Sequence, residues 1–104
     1  MNKAEYLQKV KSWTIEDWLN NGHCFVRPRY SAGSGALVGK ETALQVAEEE
    51  QHFITYHLEG SYGPEKKKFA EETGLKGVAY VRVQRFNTLY IFDLITKEID
   101  IVEI

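Results

Sequence analysis

The N-terminal segment carries apolar residues at helical spacing. Tyr6, Leu7 and Val10 recur three and four positions apart, and Trp13 continues the same stripe. Such spacing is typical of a helix with one face against a hydrophobic core. The pattern therefore predicts a short helix over residues 2–11.

A second helical segment follows in residues 14–22. Thr14 and Asp17 have the spacing of a capping box, with aspartate in place of the usual glutamate or glutamine, and residues 21–22 (Asn-Gly) are typical of a helix end. Trp18 lies on the apolar side of this pattern. We expect a second helix, or a bent continuation of the first, with both tryptophans in the core.

Residues 23–30 alternate in the manner of a strand, and a glycine-rich segment follows them. Pro28 cannot donate a backbone hydrogen bond, so an edge strand or a strand end is expected here. The glycines of residues 33–39 predict a loop. Helical spacing then resumes near Lys40 and continues toward the acidic residues 48–50.

The middle of the chain gives two further signals. Residues 51–58 are rich in β-branched and aromatic side chains, which favours a strand, although they could also prolong the preceding helix. Pro64 suits the first turn of a helix, and Gly74 suits the left-handed position just past its end. We expect a strand and then a helix in this part of the chain.

The last third of the chain predicts a meander of three antiparallel strands. The strands are expected over residues 77–86, 89–95 and 98–104. A two-residue turn at Asn87 and Thr88 would place Arg82 opposite Asp93.

The alternation within these strands assigns their side chains to two faces. The face expected to cover the core carries Ala79, Val81, Val83, Tyr90, Phe92 and Leu94. The other face carries Tyr80, Arg82, Gln84, Phe86, Leu89, Ile91 and Asp93. Because the second set mixes aromatic, apolar and charged side chains, we expect the sheet to be partly covered on both sides or used for binding.

Together these elements predict an α+β fold in one domain, residues 1–104, with helices packed on a mostly antiparallel sheet in the order α-β-α-β-α-β-β-β. A chain of 104 residues can bury a core without disulfides or metal. The net charge of −2 argues against a generally cationic nucleic-acid binder or a polybasic membrane protein. The charged N-terminus lacks a signal-peptide pattern, and Cys24 is the only cysteine, so a cytoplasmic protein is expected.

The glycine-rich segment matches the phosphate-binding loop pattern G-x-x-x-x-G-K-[ST] only in part. Gly39 and Lys40 fit, but Ser34 stands at the first glycine position and Glu41 replaces the hydroxyl residue that would hold magnesium. A carboxylate there would repel phosphates. These departures, with Pro28 in the preceding strand, exclude an ATPase of this type.

A looser anion site remains compatible with this segment. Two arginines two residues apart would lie on one strand face, and a glycine-rich passage into a helix offers backbone N–H groups to an anion. The residues expected to bind are Arg27, Arg29, Ser34, Gly35, Gly39 and Lys40. The ligand would be a nucleotide, a nucleic-acid backbone or an acidic protein surface. The alternative interpretation is a mobile surface loop whose arginines pair with residues 48–50 or with solvent.

A second hypothesis is a protein–protein inhibitor or adaptor. Its interaction surface would be the sheet face around Tyr80, Arg82 and Phe86, or an edge strand. Aromatic and cationic side chains on a sheet can also contact nucleic acid, but the net negative charge disfavours that partner.

A small enzyme is the third hypothesis. The order of residue types in ADP-ribosyltransferases, an arginine, a serine-containing segment and a glutamate pair, resembles Arg27 or Arg29, Ser31 or Ser34, and Glu48 or Glu50. Arg82, Asp93 and Asp100 would form a metal or acid–base group if they met on one sheet face. No catalytic motif is complete, so we predict a non-enzymatic binding protein, monomeric or homodimeric, with no cofactor and no resident metal.

Overall fold

The computed structural model describes residues 1–28, 35–49 and 77–104. The helices and strands within them are α1 (Lys3–Lys11), α2 (Ile15–Asn21), β1 (His23–Pro28), β2 (Ala36–Val38), α3 (Lys40–Glu48), β3 (Gly77–Arg85), β4 (Thr88–Asp93) and β5 (Ile99–Glu103). The strands pair antiparallel in the spatial order β2-β1-β3-β4-β5. This confirms the predicted α+β class, the order of the predicted elements that fall within the described residues, and the C-terminal meander. The strand and helix predicted within residues 51–58 and 64–74 lie outside the described residues.

The two N-terminal helices are separate because each has its own cap. Asn2 accepts a hydrogen bond from the backbone of Glu5 at the start of α1. At α2, the Thr14 side chain accepts from the Asp17 N–H, and the Asp17 carboxylate accepts from the Thr14 N–H. The capping box predicted from the sequence is thus confirmed, and the extended backbone of Thr14 ends any continuation of α1.

Gly22 connects α2 to β1 at a close approach to the sheet. A Cβ at this position would lie 2.4 Å from Cγ1 of Val81 and 3.0 Å from the carbonyl oxygen of Arg82. Its backbone is extended, so the requirement for glycine is one of space rather than of conformation. The absence of a side chain lets the end of α2 lie directly on β3.

Strand β2 lies inside the segment predicted to be a loop. Its three residues pair with β1 in the register Cys24–Val38, Phe25–Leu37 and Val26–Ala36. Three residues are too few to show a periodic pattern, and their pairing partner lies in another part of the chain.

Because β2 covers one side of β1 and β3 the other, β1 is an interior strand. The prediction of an edge strand is therefore wrong, and the alternative of a strand end at Pro28 is confirmed. Pro28 pairs with Gly77 of β3 and lies beyond the part of β1 that pairs with β2.

The β3–β4 hairpin turns one residue earlier than predicted. Phe86 and Asn87 both have φ of 56°, and Arg85 pairs with Thr88. A tight hairpin of this kind needs two residues with positive φ, which a β-branched threonine resists. The predicted pairing of Arg82 with Asp93 is therefore wrong.

In the observed register Arg82 lies opposite Ile91, and Tyr80 lies opposite Asp93. Moving the turn by one residue shifts the partner of each β3 residue by two positions. The alternation between faces is therefore preserved, and the predicted core-facing residues of the meander are all buried.

One face of the sheet, called here the helix face, carries the main core. Its strand residues include Cys24, Val26, Ala79, Val81, Tyr90 and Phe92, and the helices add Tyr6, Val10, Trp18, Leu19, Ala43 and Val46. Trp18 is fully buried, whereas Trp13 is partly buried against this cluster. In the described ranges, no helix is both long enough and apolar enough to cross a membrane.

The opposite face, called here the stack face, carries a smaller cluster. Phe25, Val78 and Tyr80 are buried there, and Ile91 packs against them. Its members come from three neighbouring strands, β1, β3 and β4. The sheet therefore has apolar contacts on both sides, as the mixed composition of the second face predicted.

Candidate anion-binding site

The pairing of β1 with β3 assembles the candidate site on the stack face. Phe25 lies opposite Tyr80, and His23 lies opposite Arg82. Because alternate residues of a strand point to the same face, Arg27 joins this group on the other side of Phe25. Residues from two predicted surfaces, one around Arg27 and one around Tyr80, thus form one site.

The centre of the site is a stack of one cation and two rings. The Phe25 and Tyr80 rings are 5.5 Å apart at an interplanar angle of 14°. The guanidinium carbon of Arg82 lies 4.3 Å from the centroid of Phe25. Guanidinium groups are attracted to the negative face of an aromatic ring. The two rings therefore provide a fixed support for the half-buried Arg82 side chain.

Gly35 lies at the candidate site, beside Tyr80 and Arg27. Its φ is +83°, and a Cβ there would lie 2.6 Å from the carbonyl oxygen of Val26, 3.1 Å from the Tyr80 hydroxyl and 3.2 Å from Cβ of Arg27. Both the left-handed backbone and the close contacts require glycine. Of the residues predicted to bind an anion, Arg27 and Gly35 are therefore brought together, and Tyr80 joins them.

Two positive charges, those of Arg82 and Arg27, act on the Tyr80 hydroxyl, and Asp93 lies opposite Tyr80 on β4. Burial raises the pKa of the Tyr80 hydroxyl, and the nearby charges of Arg82 and Arg27 oppose this shift without reversing it. Tyr80 therefore remains a neutral hydroxyl at physiological pH. Among the described residues, no carboxylate lies within ion-pair distance of Arg82.

Gly39 and Lys40 lie away from this group. Gly39 precedes α3 without a side-chain cap, and the Lys40 ammonium donates to Oδ1 of Asn20 at 2.8 Å. The positive charge of Lys40 also acts on Cys24, whose side chain belongs to the helix face. The structure therefore does not place Lys40 with Arg27. Residues 29–34, which include Arg29 and Ser34, lie outside the described residues.

Phe86 is also separated from Tyr80 and Arg82. Its ring lies 5.7 Å from that of Tyr6, and the Arg85 guanidinium lies 5.2 Å from the Phe86 centroid and 4.8 Å from the Tyr6 centroid. Tyr6 belongs to the helix-face core. The turn position of Phe86 thus divides the interaction surface that strand alternation predicted.

The residues of the metal hypothesis do not form a ligand group. The Asp93 carboxylate accepts from the backbone N–H groups of Ile95 and Thr96 at 2.7 and 3.0 Å, which makes it part of the β4–β5 turn. Asp100 lies opposite Ile91 rather than beside Asp93. In residues 1–28, 35–49 and 77–104 there is no group of three or more histidine, cysteine or acidic side chains that could hold a metal ion.

The single cysteine has the properties of a buried core residue. Cys24 is 4% exposed, and burial raises the pKa of its thiol. A raised pKa disfavours the thiolate that nucleophilic chemistry needs. The arrangement that resembles ADP-ribosyltransferases needs Ser31 or Ser34, and both serines lie outside the described residues.

Comparison of the chain with protein-family models, curated proteins and solved structures found no match.

Two residues of the candidate site, His23 and Phe25, were not among the residues predicted to bind. Their alternation with Arg27 was a usable signal, because it places all three side chains on one strand face. The pairing of β1 with β3 was needed to bring them to Tyr80 and Arg82.

Proposed function

We propose that this protein is a small non-enzymatic binding module that recognises an anionic ligand with Arg27 and Arg82 on the stack face. The observation that carries the proposal is the stack of the Arg82 guanidinium on Phe25 and of Phe25 on Tyr80. Gly35, which lies against both Tyr80 and Arg27, supports the same location.

The stack favours binding because it restricts the Arg82 side chain before any ligand arrives. A guanidinium lying over a ring keeps its N–H groups in its own plane, where they can donate to two oxygens of a phosphate or carboxylate. Less side-chain freedom is then lost on binding. Arg27 adds a second positive charge on the same face.

The burial of the rings defines which part of a ligand is recognised. Phe25 and Tyr80 are only 8% and 7% exposed, so they support the arginine and do not offer an open surface on which bases could stack. Recognition on this face therefore depends on charge and hydrogen bonding, and the ligand group is a phosphate or a carboxylate.

Fluorescence anisotropy with two labelled probes tests this proposal. The probes are a thymidine oligonucleotide, which presents phosphates, and a hexaglutamate peptide, which presents carboxylates. We expect the wild type to bind at least one probe in a salt-sensitive manner. Combined Arg27→Gln and Arg82→Gln substitution should weaken that binding by more than about tenfold, because hydrogen bonds to charged groups are worth about 1.5–3 kcal/mol each.

Arg85→Gln is the matched control. Arg85 lies on the same strand as Arg82, and Arg85→Gln removes one positive charge, as Arg82→Gln alone does, but the Arg85 guanidinium lies over Tyr6 and Phe86. The control should bind within about twofold of the wild type. Equal losses of affinity in the double variant and the control would show that binding depends only on net charge. Unchanged affinity in the double variant would contradict a binding site at Arg27 and Arg82.

A further inference from the structure

In the described part of the chain, strand β5 forms one edge of the sheet. Ile99 is partly buried against the helix-face core, and the other four residues of β5 are exposed. Ile101 is 40% exposed, Val102 is 42% exposed and Ile104, just beyond the strand, is 65% exposed. Ile101 and Val102 point to opposite faces of the sheet. Apolar surface is therefore present on both sides of this edge.

The backbone of β5 directs hydrogen-bonding groups outward. At one end of the β4–β5 ladder Asp93 N–H donates to the Glu98 carbonyl at 3.0 Å, and at the other Ile104 N–H donates to the Asn87 carbonyl at 2.9 Å. In an antiparallel pair, residues alternate between facing the partner strand and facing away from it. The residues whose N–H and C=O point away from β4 are Ile99, Ile101 and Glu103.

The charge of this edge is mainly negative, although the Glu103 carboxylate pairs with the Lys3 ammonium at 2.6 Å. Residues 98–104 contain Glu98, Asp100 and Glu103 and no lysine or arginine. A second copy of β5 would bring one acidic strand against another, which disfavours self-pairing. A strand with lysine or arginine among apolar residues would match both the charge and the exposed apolar side chains.

We infer that the β5 edge docks an extended segment of a partner protein in which apolar and basic residues alternate, and that this segment adds one further strand to the sheet. Main-chain hydrogen bonds from Ile99, Ile101 and Glu103 would supply affinity. The acidic side chains would select the partner and oppose pairing between copies of this chain. The surface is independent of the arginines of the stack face.

The test uses the full chain and two labelled peptides, one alternating valine with lysine and one alternating valine with threonine. Anisotropy titration should show tighter binding of the lysine peptide by at least about tenfold. Light scattering should show that the protein alone is monomeric. The variant lacking Arg27 and Arg82 should bind the lysine peptide as the wild type does, which separates this surface from the anion site.

Ile101→Pro removes an outward N–H group without removing a hydrogen bond to β4, and Ile101→Thr keeps that N–H with a similar loss of apolar surface. We expect the proline variant to lose peptide binding by at least about tenfold relative to the threonine variant. Equal binding by the two variants would overturn the docking mode, as would a dimer in solution that Ile101→Pro dissociates.

Asp100→Lys provides the test if Ile101→Pro fails to fold. Reversing this charge should weaken binding of the lysine peptide by about tenfold. Glu16→Lys, an exposed position in α2, is the matched control and should have less than about a twofold effect. Equal losses in Asp100→Lys and Glu16→Lys would assign the interaction to net charge and overturn the β5 site, and so would a lysine peptide that does not bind the wild type.

Discussion

The two faces of the sheet use aromatic residues in different ways. On the helix face the rings of Tyr6, Trp13, Trp18 and Tyr90 meet edge to face, and Trp18 also stacks on Phe92, so these rings fill volume between helices and strands. On the stack face Phe25 lies flat on Tyr80 and carries the Arg82 guanidinium. The first arrangement holds the fold together, and the second presents a charge.

Two arginines of β3 show the same difference. Arg82 and Arg85 both lie over aromatic rings, but Arg82 is half-buried on a stack of two buried rings, whereas Arg85 is exposed beside Phe86 and Tyr6 at the hairpin end. Position along one strand therefore decides whether an arginine is held at a candidate site or covers the rim of the core.

Removal of a helix-face ring should give the largest loss of stability. Trp18 is fully buried between Trp13 and Phe92, with ring centroids 4.9 and 5.3 Å away. Trp18→Ala should lower the free energy of unfolding by about 3–5 kcal/mol, measured by urea denaturation, because it leaves a large cavity. A loss below about 1 kcal/mol would contradict the central role of this ring.

Trp18→Phe is the control for that experiment. The substitution keeps an aromatic ring and removes the indole N–H, which has no hydrogen-bond partner among the described residues. We expect a smaller loss of unfolding free energy than in Trp18→Ala. The aromatic ring is kept, and the N–H that is removed is a buried polar group without a hydrogen-bond partner among the described residues.

Glycine substitutions should give intermediate losses on both faces, for different reasons. Gly22→Ala places a methyl group 2.4 Å from Val81 on the helix face, and Gly35→Ala imposes a side chain at φ +83° beside Tyr80. Each should cost about 1–3 kcal/mol by urea denaturation, the first through overpacking and the second through backbone strain and crowding.

Gly39→Ala is the control, since a Cβ there meets nothing within 4 Å and its φ is −74°. Its stability should change by less than about 1 kcal/mol. The Gly35→Ala variant should also weaken anion binding, whereas Gly22→Ala should not. Equal effects of Gly35→Ala and Gly22→Ala on anion binding would contradict the assignment of the binding site to the stack face.

The smallest effect is expected in the dependence of stability on alkaline pH. Burial raises the pKa of Tyr80 on the stack face and of Tyr6 on the helix face. An unfolded tyrosine ionises at its ordinary pKa of about 10, so the stabilising contribution is complete below that pH and is lost as pH rises through the higher folded pKa.

Tyr80→Phe should therefore flatten the decline in melting temperature above about pH 10 and leave the profile at neutral pH unchanged in shape. Tyr6→Phe is the matched variant on the helix face and should act in the same direction. An alkaline slope identical to that of the wild type in both variants would show that these hydroxyls do not contribute to the pH dependence.

Local sequence patterns determined the helices and the faces of the meander. The Thr14–Asp17 capping box, the start of α3 at Lys40 and the alternation of β3 and β4 each depend on residues close together in the chain. Such signals act over a few residues, which is why they could be interpreted without a structure.

The position of the β3–β4 turn depended both on Thr88, which resists positive φ, and on a tertiary contact of Phe86. Alternation alone permits a turn at residues 86–87 or 87–88, since both put the same side chains on the core. The contact of the Phe86 ring with Tyr6 favours the first, although phenylalanine is uncommon at positive φ. Alternation therefore predicted the faces correctly and the partners incorrectly.

The candidate site also depended on tertiary structure. Arg27, Gly35 and Tyr80 meet because β1 pairs with β3 across a long stretch of chain, and no local signal encodes that pairing. By itself the sequence determined which residue types are present, namely arginines and aromatic residues at alternating positions within the strands. Only the sheet decided which of them lie in one place, because strand pairing depends on contacts between segments far apart in the chain.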